Sequence, residues 1–211
     1  MIFVSHSTAI FTIWDDHEIV NNFVGEGLDN KGPFVNASSA YLTFLGNVNP
    51  DPVTSDVHYY NFRYGDNAFF VLDTRRYRTG ADVSPGGEHH NSTTAIPEDD
   101  DLHTPKPRTM LGDKQLMAVY SWLGKVNSTT TFKFIVSSVP FTTLWKGGDG
   151  AMDSWAAYPE ERNALLDVLE YVPNVIVISG DRHEFAAIEM RGKVLEFSSV
   201  SLLYFTLSKG N

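Results

Sequence analysis

Ile176-Val177-Ile178-Ser179-Gly180-Asp181-Arg182-His183-Glu184 decides how this 211-residue chain folds. A run of β-branched residues is followed at once by a glycine and a polar cluster. It reads as a buried strand, Asn174 to Ser179, whose carboxyl end opens into a site. Asp181 and His183 stand at i and i+2, so an extended backbone turns both to the same side, and Gly180 lets other groups come close. A second stretch has the same form near the start of the chain. There the apolar run Ala9-Ile10-Phe11-Thr12-Ile13 leads into Trp14-Asp15-Asp16-His17-Glu18-Ile19-Val20-Asn21-Asn22. Open α/β sheets hold ligands just beyond the carboxyl ends of their strands, and two such ends point to one shared site.

Around these ends the pattern alternates between helix and strand. Residues 9–14 read as a buried strand. Val35 to Leu45 reads as a short helix packed on the sheet, with Ala37, Ala40, Tyr41, Phe44 and Leu45 on its apolar face. Val57 to Tyr64 and Asn67 to Asp73 flank Gly65-Asp66 and read as a hairpin. Its aromatics Tyr59, Tyr60, Phe62, Phe69 and Phe70 are read as core.

Gly112 to Lys125 has Leu116, Val119, Tyr120 and Leu123 at helical spacing. Thr131 to Val139 reads as a buried strand ended by Pro140, and Pro159 to Tyr171 as a helix with proline in its first turn. Glu184 to Met190 and Lys193 to Ser199 form a further hairpin, followed by a strand at Ser201 to Leu207. Residues 79–109 are rich in Pro, Gly, His and acidic residues and poor in apolar ones, so they read as a long exposed loop. The expectation is an α/β domain over 1–211, a layered β-sandwich flanked by helices and incomplete at its N-terminus.

Composition narrows the function. A hydrophobic content of 42% supports a real core, and a formal net charge of −10 disfavours an electrostatic grip on nucleic acid or an anionic membrane. The absence of cysteine removes disulfides, thiolate metal sites and cysteine nucleophiles. No stretch is apolar enough to span a membrane and no signal peptide opens the chain. Three glycosylation sequons, at Asn36, Asn91 and Asn127, favour a secreted or endomembrane protein.

The polar groups at the strand ends suit metal-assisted chemistry. Carboxylates are hard ligands, and imidazole can either coordinate a metal or move a proton. Asp15 and Asp16 also have a plain structural use as helix caps, and Asn21 and Asn22 as caps or turn residues. Arg75, Arg76 and Arg78 can hold a phosphate or pair with surface carboxylates, and Arg182 can hold a phosphate. His89, His90 and His103, in the long loop, are read as solvent-exposed.

WDDHEIVNN, LDTRRYR, the helix start Leu111-Gly112-Asp113-Lys114-Gln115, MDSWAAYPEER, SGDRHE and EFSSVS follow one another in an order that closely resembles the PhoD-like alkaline phosphatases. These are a branch of the calcineurin-like metallophosphoesterases. The likeness covers nearly the whole chain and about the later half of the family's catalytic domain. It implies a metal-dependent phosphatase or phosphodiesterase.

By position in the family's GNHE-like block, Asp16 is a metal ligand, His17 the proton donor to the leaving group, and Glu18 an acid that orients the histidine. The GHxH-like block makes His183 a metal ligand and Asp181 a ligand or orienting group. Asp153 falls on the first acidic residue of a DSWDGY-like block, from which Ala156 and Ala157 depart. Arg182 and Arg75 are the expected phosphate contacts. Calcium and ferric iron are the implied cofactors, although the GDxxY-like block expected to hold the iron has no convincing counterpart before Thr8. The implied partner is a phosphate ester. A second reading, from a different class, is a non-catalytic calcium-binding or interaction module on the same fold.

Overall fold

The computed structural model describes residues 10–80, 108–144 and 148–199. Six strands form one mixed sheet: β1 (Tyr60–Tyr64), β2 (Asn67–Val71), β3 (Phe132–Val136), β4 (Val175–Ser179), β5 (Ala186–Met190) and β6 (Val194–Ser198). Their order is β1-β2-β3-β4-β6-β5. The inner strands β2, β3, β4 and β6 run parallel, and the edge strands β1 and β5 pair antiparallel with their neighbours. Both expected hairpins are present. The first turns at Gly65, whose φ of 58° is the left-handed conformation that glycine takes at no steric cost.

Helices α1 (Phe34–Phe44), α2 (Gly112–Val126) and α3 (Pro159–Leu169) flank the sheet, giving the α/β class. Val119, Trp122, Leu123 and Val126 of α2 and Leu165, Leu166 and Leu169 of α3 share one core with Ala68, Phe70, Ile135, Val175, Val177 and Val194. Each valine, leucine, isoleucine and phenylalanine among them contributes roughly 1.5–3 kcal/mol by leaving water. The buried face of α2 is turned relative to the expectation: Gln115 and Trp122 are fully buried while Leu116 is only partly so. Gln115 is at home there because its amide closes a two-way bridge to the backbone of Asp73, with both contacts at 2.8 Å.

The opposite face of the sheet is also apolar. Phe62, Phe69, Phe134, Ile176 and Leu195 lie in one register across five strands. The rings of Phe11, Phe62, Phe69 and Phe134 stack in sequence with centroids 4.3–4.7 Å apart. Phe62 and Phe69 therefore line this second face, whereas Tyr59, Tyr60 and Phe70 are core as expected. A cavity of about 220 Å³ lies among Phe11, Tyr60, Phe62, Phe69, Val71 and Val136.

Three elements differ from the sequence reading. Residues 10–14 form no strand. Their backbone is held instead by side chains: Asn49 Oδ1 accepts the Thr12 N–H at 2.8 Å, and the Tyr60 hydroxyl donates to the Thr12 carbonyl at 2.8 Å. Helix α1 does not pack on the sheet. Its Phe34 and Tyr41 join Trp14 and Phe23 in a separate small core, leaving Phe44 and Leu45 exposed. Buried His58 completes that core, stacked on Trp14 at 4.5 Å and bonded to Ser38, and burial pushes its pKa down to about 4. Finally, β3 stops at Val136, ahead of Val139.

Most of the loop expected at 79–109, with Asn91 and its histidines, and the strand expected at Ser201 to Leu207 lie outside the described residues. Among the described residues no helix is long and apolar enough to cross a membrane.

Candidate metal centre

Because β2, β3 and β4 are parallel, the segments that follow them leave the sheet at one edge. After β2, Asp73 builds a tight turn. Its Oδ1 accepts the backbone N–H groups of Arg75 and Arg76 at 3.0 and 2.9 Å. Complete burial pushes the Asp73 carboxyl up to about 6, against the pull of those two donors. The turn fixes Arg75, whose side chain is 0% exposed, in the middle of an acidic cluster.

Arg75 Nε donates to Asp15 at 2.6 Å and Nη1 to Asp153 at 2.6 Å, while Nη2 stands 3.6 Å from both Asp16 and Asp181. Burial alone pulls the pKa of this guanidinium down, but Asp15 and Asp153 more than reverse that and raise it. Buried Arg78 also pairs with Asp153 and donates to the Asn22 carbonyl at 2.9 Å. Burial raises the Asp153 carboxyl, yet Arg75 and Arg78 outweigh it and hold it below the usual carboxylate range. Arg182 Nη1 also stands 3.7 Å from Asp181 Oδ2, so four carboxylates face three guanidiniums here, leaving an excess of negative charge that a bound cation can offset.

Asp16 closes its own segment into a loop, because its Oδ2 accepts the N–H of Asn22 at 2.7 Å. Glu18 turns back to accept the Asp15 N–H at 2.9 Å, and burial raises its pKa. Exposed His17 has its Nε2 3.3 Å from Asn21 Oδ1. This hydrogen bond, then the Asp16 carboxylate, raises the imidazole pKa. The side chain that meets His17 is thus Asn21, while Glu18 meets the Asp15 N–H. The i, i+4 spacing of His17 and Asn21 within a short turn was the available signal.

On the facing segment Asp181 has φ 68°, and the Arg182 N–H reaches back to the Gly180 carbonyl at 2.8 Å. A hydrogen bond spanning two residues across a positive φ marks a strained γ-turn, of the kind that persists only where surrounding structure enforces it. His183 also has positive φ, 55°. Burial first, and the Asp15 carboxylate second, push the Asp181 pKa to about 7. His17, Asn21, Asn22, Asp181, Arg182 and His183 line one polar pocket of about 140 Å³.

Carboxylate oxygens of Asp15, Asp16 and Asp181 lie within 4.8 Å of one another. Among the described residues this is the one such cluster, and it differs from the expected ligand set. Asp15 joins it. Asp153 stands outside it, engaged by two arginines, and His183 stands outside it while sharing the pocket wall. Arg75, expected on phosphate, is sealed from solvent and engaged by carboxylates, because the Asp73 turn directs it inward.

Comparison with known proteins agrees with this architecture. A solved structure of a dimetal phosphatase from Danio rerio superposes with a TM-score of 0.56 at 16% identity, covering 90% of this chain and 60% of that one. Alkaline phosphatase D of Bacillus subtilis (strain 168) is 31% identical over 188 residues, covering 81% of this chain and 30% of that protein. The chain therefore spans less than two thirds of either relative. The model of the PhoD-like phosphatases matches residues 3–207, and the chain belongs to that family.

Proposed function

We propose that this centre hydrolyses phosphoric esters with the help of one divalent cation, calcium as the family resemblance implies, since its all-carboxylate donor set suits a hard cation. The observation that carries this reading is the convergence of Asp15, Asp16 and Asp181 beside the pocket that His17 and Arg182 line. Such a cation supplies Lewis-acid polarisation of the phosphoryl oxygens. No described residues form a second centre of this kind for ferric iron, and the reading assigns none.

The chain's own groups divide the remaining work. Arg182, on the pocket wall, grips non-bridging phosphoryl oxygens with its fork of N–H donors. His17 gives its proton to the ester oxygen as the P–O bond to that oxygen breaks and the electron pair moves onto it. Water oxygen forms the new bond to phosphorus on the opposite side, and the proton it sheds passes to solvent, from which His17 is reprotonated. Arg75 acts from beneath as a fixed countercharge, keeping the carboxylates together when no cation is bound. The polar pocket supports binding of a phosphoryl group, which both monoesters and diesters carry.

Purified protein assayed with a chromogenic monoester and diester, with calcium supplied, is expected to turn over at least one of them. His17→Ala is expected to lower kcat by about 10²–10⁴-fold. Calcium binding in the absence of any turnover would instead favour the non-catalytic module. The sequon residues Asn36 and Asn127 are exposed and so accessible for glycosylation if the chain takes a secretory route. A mobility shift on deglycosylation of protein from a eukaryotic secretory host checks that assignment.

A further inference from the structure

We infer that Asn21 is a positioning residue for the proposed proton donor, its side-chain oxygen accepting from His17 Nε2 and holding the ring toward the leaving-group oxygen. The inference rests on the hydrolytic reading above. Asn21 Oδ1 lies 3.3 Å from His17 Nε2, and both residues line the pocket that Asp181, Arg182 and His183 wall on the other side.

An amide oxygen can only accept, so the hydrogen of this pair sits on Nε2, the nitrogen that must donate to an ester oxygen. The pairing is built into the loop. Asp16 Oδ2 accepts the Asn22 N–H at 2.7 Å, Arg78 donates to the Asn22 carbonyl at 2.9 Å, and Asn22 itself takes a φ of 56°. These contacts close residues 16–22 into a ring that brings Asn21 back beside His17. The expected role of Glu18 as orienting acid passes to Asn21, since Glu18 is spent on the Asp15 N–H.

When an ester oxygen enters, Nε2–H is shared between it and Asn21 Oδ1, which keeps the ring turned toward the leaving group. The Nε2–H bond breaks as the new O–H bond forms, and the imidazole retains the electron pair. A residue acting in this way matters in proportion to how much the leaving group needs a proton. It matters little for an anion that is already stable.

The test compares wild type, Asn21→Ala and Asn21→Asp, the last retaining an acceptor oxygen, with calcium supplied. Asn21→Ala is expected to lower kcat on an alkyl phosphate by about tenfold or more, and on p-nitrophenyl phosphate by less than about twofold, with KM little changed. Asn21→Asp is expected to restore most of the alkyl phosphate rate. Equal losses on both substrates would overturn the inference, because a structural defect does not distinguish leaving groups.

A second readout needs no turnover. The ring 15N shifts of His17, assigned by their loss in His17→Gln, are expected to report an Nε2–H tautomer in wild type and to move in Asn21→Ala. An Nδ1–H tautomer, or shifts unchanged by Asn21→Ala, would overturn the inference. Wild-type protein that hydrolyses no ester but keeps the tautomer and its response would overturn the hydrolytic reading while leaving the His17–Asn21 contact intact.

Discussion

Two sets of buried carboxylates lie at the same edge of the sheet and are treated in opposite ways. Glu196, on β6, accepts the N–H groups of Phe141 and Thr142 and the hydroxyl of Ser179, each at 2.7 Å. Glu161, on α3, accepts the N–H groups of Met110 and Leu111 at 3.2 and 3.0 Å. Both are neutralised by fixed backbone donors, and burial raises the pKa of each. Around Arg75, by contrast, Asp181 Oδ2 and Asp153 Oδ2 are buried without a hydrogen bond, and Arg75 Nη2 is likewise without one. A carboxylate saturated by backbone donors ties loops together. Asp181, with Arg75 at 3.6 Å and Arg182 at 3.7 Å, makes no hydrogen bond through Oδ2 and keeps that oxygen for something else.

The comparison breaks most visibly at Arg75. Arg75→Met leaves several carboxylates facing each other without their countercharge, and the expected loss is about 3–5 kcal/mol in denaturant unfolding without added cation. A loss below about 1 kcal/mol would mean that the acidic cluster does not depend on it.

The next effect is on pH dependence. Asp181 has its folded pKa pushed up to about 7, so the stability it lends is complete below its unfolded pKa near 4 and fades as pH rises through 7. In chelator the thermal midpoint is expected to fall over that window, by an amount equivalent to at most about 4 kcal/mol. Asp73, raised to about 6, pulls the same way. Asp181→Asn is expected to remove most of the slope, leaving the smaller part due to Asp73.

Calcium is expected to reverse this trend. At about a hundred times its dissociation constant it is expected to stabilise by about 2.7 kcal/mol, and Asp16→Asn is expected to abolish the gain. Melting that ignores calcium at pH 7.5 would remove the distinction between the two carboxylate sets.

The smallest effect is at Glu196. Glu196→Gln turns one accepting oxygen into an N–H₂ that faces backbone donors, for a cost of about 1–3 kcal/mol, while calorimetric calcium binding stays as in wild type.

How far the sequence foretold all this depends on the range of the interaction. Alternating or β-branched runs and turn pairs such as Gly65-Asp66 and Arg191-Gly192 are local signals, and every hairpin, helix and parallel strand they predicted among the described residues is present, with ends shifted by a few residues. Ile10 and Phe11 misled, because an apolar run needs a strand partner that no local pattern reveals. Here Asn49 and Tyr60 hold that backbone.

For the site, Asp16, His17, Asp181 and Arg182 were legible as polar groups behind apolar runs. Asp15 and Asp16 read alike, as caps or as ligands, and the place of Asp15 beside Asp181 depends on a contact across more than 160 positions. The inward turn of Arg75 could not be read from LDTRRYR, since Arg76, next to it, goes outward to pair with Asp29. That divergence is decided by the Asp73 turn, a three-dimensional event.

The stacked phenylalanines on the second face of the sheet have a practical meaning at the bench. Phe11 is 47% and Phe197 43% exposed, and Ile178 and Leu195 accompany them on a surface that water wets poorly. Such a surface makes protein concentration a reaction variable: rates and melting curves will drift with dilution as molecules adhere to one another or to the vessel, and light scattering belongs beside every assay of this chain.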